Sequence, residues 1–188
     1  HPALQLDADA GSGKRLLPWL LALAWLCLVV AAARPQRLGP PIEQPHTGRA
    51  LLLAVDLSGS METRDMVLGR QAVNRFQAVK AIAGDFIGRR QGDELGLVLF
   101  GSEAYLVTPV TYDLSAVQAQ LDTAQIGIAG QQTAIGDAIG LATKRLMELP
   151  IKQRVLVLLT DGVNNSGSLS PVDAAAVAKS AGVRLYTI

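Results

Sequence analysis

From residue 48 onward, short apolar runs alternate with stretches in which apolar residues recur every three or four positions. The runs predict strands over 50–55, 95–100, 155–159 and 183–188. The first and third are apolar at every position, the pattern of strands buried on both faces. Helical spacing predicts a helix over 74–89, where Phe76, Val79, Ile82, Ala83 and Phe86 share a face. It predicts another N-capped by Asp113, with Leu114, Val117 and Leu121 together, and a third over 133–149 with Ile135, Ile139, Ala142 and Leu146 inward. Ser170-Pro171-Val172-Asp173 supplies an N-cap, a proline at the first helical position and an acid at the third, for a helix that stops at Gly182. A strand over 104–108 follows its predecessor too closely for a crossover helix, so it pairs antiparallel at an edge. Together these elements predict an α/β fold: a Rossmann-like, open, mostly parallel sheet with one antiparallel edge strand and helices on both faces. A last strand at 183–188 has a bare far edge, so further strand and helix beyond residue 188 are expected.

A different pattern fills 16–33, an uncharged apolar stretch with Trp19 and Trp25 inside it. At about 1.5 Å per residue it reaches roughly 27 Å, the length of a single transmembrane helix. A signal peptide is the rival reading, with Lys14-Arg15 as its basic leader and Ala31-Ala32-Ala33 as its cleavage site. The length of the run and the residues ahead of Lys14 favour an anchor. Apolar residues on every face exclude a core helix. Lys14 and Arg15 balance Arg34 and Arg37, so charge assigns no orientation. The organisation read from the sequence is an N-terminal flank (1–15), a transmembrane helix (16–33), a proline-rich linker (34–47) and an α/β domain (48–188) that is incomplete at its C-terminal end. A first residue of His1 fits a fragment or a processed chain.

With 17 Lys and Arg against 16 Asp and Glu, and no basic stripe carrying aromatics, nucleic acid is excluded as a partner class. Cys27 is the single cysteine, so no intrachain disulfide or thiolate metal site exists.

The chemistry concentrates where strands end. Asp56, Ser58 and Ser60 leave the first strand two residues apart, Asp161 follows the strand over 155–159, and Thr133 opens a helix. The chain runs outward from the first strand to an edge and then returns to its other side, which places these loops over one switch-point crevice. All five side chains offer oxygen, suited to Mg2+ or another hard divalent cation (Mn2+ or Ca2+) and not to zinc or copper. Two carboxylates and three hydroxyls leave such an ion electrophilic, so an acidic residue on a protein partner would complete its shell.

Each residue also has a plainer reading: turn formers for Ser58, Ser60 and Asp161, a helix N-cap for Thr133. Glu62 and Asp65 read as solvated loop carboxylates. Asp137 is placed to orient Thr133, or simply favours a helix N-terminus. Gly11-Ser12-Gly13-Lys14 departs from a phosphate loop at both ends, Asn164-Asn165-Ser166 is a turn that fits a glycosylation sequon, and His1 and His46 suggest no site.

The pattern Asp-x-Ser-x-Ser with a distant Thr and a distant Asp resembles the von Willebrand factor A domain and its metal-ion-dependent adhesion site, matching Asp56, Ser58, Ser60, Thr133 and Asp161 in order. The resemblance implies that the serines and the threonine contact the metal directly and the aspartates directly or through water. The layout of apolar helix, Ala-Arg-Pro-Gln, tether and Leu-Ala-Val-Asp-Leu-Ser-Gly-Ser-Met-Glu is similar to bacterial aerotolerance-type (BatA-like) membrane proteins. Gly96-Leu97-Val98-Leu99-Phe100-Gly101, Gln132-Thr133-Ala134-Ile135-Gly136-Asp137 and Leu159-Thr160-Asp161-Gly162 strengthen that likeness. It implies a bacterial inner-membrane location with the domain on the periplasmic side. It also implies partners among other von Willebrand A membrane proteins and a MoxR-type AAA+ ATPase system.

The leading functional reading is a membrane-anchored, metal-dependent protein-interaction module that is not an enzyme, because no catalytic base or nucleophile set accompanies the site. The alternatives are a structural envelope scaffold with a non-functional site, and a metal-dependent phosphohydrolase using Asp56 as nucleophile.

Overall fold

The computed structural model describes residues 13–33 and 48–188, with side chains from Leu17 in the first segment. The chain divides into two units, His1–Gln44 and Pro45–Ile188. The N-terminal flank before Gly13 and the proline-rich linker lie outside the described residues.

In the first unit, α1 (Gly13–Ala33) is one continuous helix that carries Pro18 inside it, where the ring removes one backbone donor. Its apolar side chains are exposed, Trp19 and Trp25 among them. Among the described residues no helix is long and apolar enough to cross a membrane. The transmembrane helix expected over 16–33 is therefore corrected to an apolar helix, Gly13–Ala33, with exposed side chains.

The second unit is built on β1 (Ala50–Asp56), β4 (Glu94–Phe100), β5 (Ala104–Thr111), β6 (Arg154–Leu159) and β7 (Val183–Thr187). They form one sheet in the order β5-β4-β1-β6-β7. All neighbours are parallel except β4 and β5. The predicted antiparallel edge is thus present and longer than its apolar segment. β1 and β4 are buried at all seven positions. Their side chains alternate between two cores, which is why both faces demand apolar residues. Leu52, Ala54, Val98, Phe100, Leu156 and Leu158 pack with Ile135, Ile139, Ala142 and Leu146 of α4 (Ile135–Met147) and with Ala174 and Ala178 of α5 (Pro171–Ser180). Leu51, Leu53, Val55, Leu95, Leu97 and Leu99 pack with Phe76, Ala83 and Ile87 of α2 (Arg75–Gly88) and with Val117 and Leu121 of α3 (Leu114–Thr123).

Local details depart from the pattern reading in three places. Ile82 of α2 is exposed and Ile87 takes the buried position instead, so the apolar face of α2 is rotated slightly from the expected one. α4 begins at Ile135 with Ala134 as N-cap, which leaves Thr133 in the preceding loop. A two-stranded hairpin, β2 (Met66–Leu68) with β3 (Gln71–Val73), turns at Gly69 with a φ of 66° between the loop after β1 and α2. Its strands are three residues long and almost wholly exposed, so neither periodicity nor burial marks them.

Candidate metal-binding site at the sheet switch point

β1 and β6 are parallel neighbours, so Asp56 and the residues after Leu159 emerge at the same sheet end. That junction is the switch point, since the chain builds β4 and β5 on one side of β1 and β6 and β7 on the other. Just past β1, Gly59–Glu62 forms a single 3-10 turn. It holds Ser58 and Ser60 over the crevice, with Gly59 N–H donating to the Gln131 carbonyl.

The structure brings the five predicted residues together. Asp56 is fully buried. Its Oδ1 accepts from the Ser58 backbone N–H at 2.8 Å and its Oδ2 from the Thr160 hydroxyl at 2.6 Å. The hydroxyls of Ser58 and Ser60 lie 3.0 Å apart, and Ser60 Oγ donates to Asp161 Oδ1 at 2.8 Å. Thr133 is 3% exposed. A Cβ at Gly162 would stand 3.3 Å from Thr133 Oγ1 and 3.7 Å from Asp56 Oδ2, so glycine keeps that cradle open between the two.

The plainer readings of these residues lose ground. Ser58 is the N-cap of the 3-10 turn but makes no capping bond through its side chain. Thr133 caps no helix: its own N–H donates to Asn165 Oδ1 at 2.7 Å, and the α4 end receives Asn164 Oδ1 at the Gly136 N–H. Among the described residues the Thr133 hydroxyl has no hydrogen-bond partner, which leaves its oxygen available. Asp137 does not orient Thr133. Its carboxylate accepts from the backbone N–H groups of Ser168 and Leu169 and so fastens the loop after β6 to α4. Asn164 and Asn165 serve the same junction, a role their turn chemistry alone did not reveal.

Pattern reading missed Arg75. The first residue of α2, it donates from Nη1 to Asp161 Oδ2 at 2.5 Å and from Nε and Nη2 to Asp65. Asp65, read as a solvated carboxylate, is instead ion-paired. The hydrogen bond from Arg75 holds its carboxyl below the usual range, and the two carboxylates raise the guanidinium further above its own. The capping box of Asn74 and Gln77, which brackets Arg75, carried the local signal for where this side chain starts, though none for where it ends.

The donor set fits a hard cation. Among the described residues no three His, Cys, Asp or Glu side chains gather into a metal-holding group. An ion at the crevice would therefore rest on two carboxylates and on the hydroxyls of Ser58, Ser60 and Thr133, an all-oxygen set with modest charge.

The family comparisons agree with this architecture. The von Willebrand factor type A domain profile matches residues 51–164. An aerotolerance-related membrane protein from Bacteroides fragilis is 27% identical, with a TM-score of 0.66 over 74% of this chain and 66% of that one. A membrane-spanning protein from Vibrio fischeri is 49% identical, with a TM-score of 0.53 over 74% and 69% of the two chains. An uncharacterized protein from Borreliella burgdorferi is 30% identical over 89% of this chain and 48% of its own length, and the chain spans about half the length of the curated relatives it matches. On the profile match, the alternating sheet and the shared fold of its bacterial relatives, the chain belongs to the von Willebrand factor type A domain family.

Proposed function

We propose that this chain is a membrane-associated protein-interaction module whose switch-point crevice is a metal-ion-dependent adhesion site. The observation that carries the reading is the linked set Asp56, Ser58, Ser60 and Asp161 with the Thr133 hydroxyl beside it, at the end of two buried parallel strands. Ser58, Ser60 and Thr133 would hold Mg2+, or Mn2+ or Ca2+ in its place, and Asp56 and Asp161 would balance its charge. When bound, such an ion supplies an electrophilic centre that attracts a carboxylate. The chain's own residues do the rest. Ser58 N–H and Thr160 orient Asp56, Asn165 fixes the Thr133 backbone, and Asp137 ties down the loop that carries Asp161. The ligand proposed is an acidic residue of a protein partner.

Asp56 makes a poor nucleophile, since it is buried and both its oxygens are engaged by donors, which favours binding over phosphoryl transfer. Membrane association is supported by the membrane-protein relatives and by the exposed apolar surface of α1. A bacterial envelope setting on the periplasmic side, with other von Willebrand A membrane proteins and a MoxR-type ATPase as partners, completes the proposal on the strength of the family resemblance.

The test is calorimetric titration of the chain with Mg2+ and Mn2+, wild type against Asp56→Ala. Saturable binding that drops at least tenfold in the variant is expected, since a buried ligand carboxylate is lost. Equal binding by the two proteins, or none by a folded wild type, moves the reading to an envelope scaffold with a non-functional site.

A further inference from the structure

Arg75 stands in the crevice without belonging to the donor set. One guanidinium bridges a candidate ligand, Asp161, and a loop carboxylate, Asp65. Its backbone is anchored, with the N–H on the Thr63 carbonyl and the Asn74–Gln77 capping box around it, so the bridge is a built feature of the start of α2. The side chains of Arg75 and Asp161 are 27% and 15% exposed and that of Asp65 is 44% exposed. The guanidinium therefore reaches inward to Asp161 from a more solvated partner.

Asp161 divides its two oxygens between Ser60 and this guanidinium. A cation arriving at the crevice meets a carboxylate whose charge is already compensated, and it meets a like charge within reach. We infer that Arg75 is the resident competitor of the cation at Asp161, and that Asp65 retains the guanidinium when the cation binds. The inference rests on the adhesion-site reading above. It makes cation affinity lower than the five oxygen donors alone would give. It also leaves a guanidinium beside the crevice, a second contact for the acidic residue of a partner.

The experiment titrates the full chain, in mild detergent and at fixed ionic strength, with MgCl2 and MnCl2. The proteins compared are wild type, Arg75→Gln, Arg75→Lys and Asp65→Asn, with circular dichroism as the check of folding. Removing the charge while keeping hydrogen-bonding capacity in Arg75→Gln should tighten binding about fivefold, the scale of one partly exposed charge pair. Arg75→Lys keeps the charge and should stay near wild type. Asp65→Asn leaves Arg75 uncompensated and should weaken binding. If Arg75→Gln binds as wild type does or more weakly, the guanidinium merely positions Asp161 and the inference falls, while the adhesion-site reading stands. Should Arg75→Gln fail to fold, Asp65→Asn decides, and unchanged or tighter binding there overturns the inference. Binding by Arg75→Gln with none by a folded wild type upholds the competition at Asp161 and, as above, moves the native crevice to the scaffold reading. No binding by any folded variant overturns both readings.

Discussion

At the scale of single residues, the crevice is an arrangement of charges in which every carboxylate has a stated partner. Asp56 is buried and accepts from a backbone N–H and a hydroxyl, Asp161 accepts from a hydroxyl and a guanidinium, and Asp65 pairs with the same guanidinium. The Asp65 carboxyl is held below its ordinary value, first by the hydrogen bond from Arg75. A group whose folded value is depressed stabilises the fold above its unfolded pKa, about 3.9, and loses that contribution as the pH falls through the lower folded value. Carboxyl-carbon NMR of Asp65 should therefore titrate below the ordinary midpoint in wild type and return toward it in Arg75→Gln. Identical midpoints in the two proteins would remove Arg75 as the cause. Four ligand candidates were legible from residue type and strand-end position, and Thr133 from its place at an expected helix start, because oxygen donors at such ends are a local pattern. Arg75, Thr160 and Asn165 were not, because nothing in an arginine after an asparagine, or in a threonine before an aspartate, states which distant atom it will touch.

At the scale of elements, the site depends on how closely α4 approaches the loop after β6. A Cβ at Gly136 would fall 1.8 Å from the Leu169 carbonyl oxygen, a backbone atom that cannot swing aside. Gly136→Ala should therefore cost about 3 kcal/mol in urea unfolding and loosen the Asp137 clamp on Ser168 and Leu169. A loss below about 0.5 kcal/mol would show that the loop relaxes freely. The elements themselves were largely readable, since runs such as Leu51-Leu52-Leu53-Ala54-Val55 encode burial on two faces and the helices carry their own caps at Asn74, Asp113 and Ser170. The hairpin Met66–Leu68 with Gln71–Val73 escaped because its residues face solvent, so no burial pattern records it. The Gly69 turn between two short apolar segments was its only local trace.

At the scale of the whole molecule, a cation held between loops from both halves of the sheet should stabilise the fold as a unit. At a free cation concentration about 100 times Kd the gain is about 2.7 kcal/mol, and a chelator should reverse it. Thermal unfolding monitored by circular dichroism, with and without Mg2+, checks this; a midpoint indifferent to Mg2+ and to chelator would leave the crevice as scaffold. The sequence by itself determined the α/β class, the antiparallel edge at β5, the two-sided burial of β1 and the residues that could ligate an ion. These follow from periodicity and from residue chemistry, which are properties of short stretches. Only the tertiary structure decided that Asp137 fastens the loop after β6, that the Thr133 hydroxyl has no hydrogen-bond partner among the described residues, and that Arg75, already paired with Asp65, reaches Asp161 across 86 positions of chain. Those pairings depend on which loops the sheet order brings together at one end, and on the reach of side chains across the gap between them, neither of which is written in any local pattern.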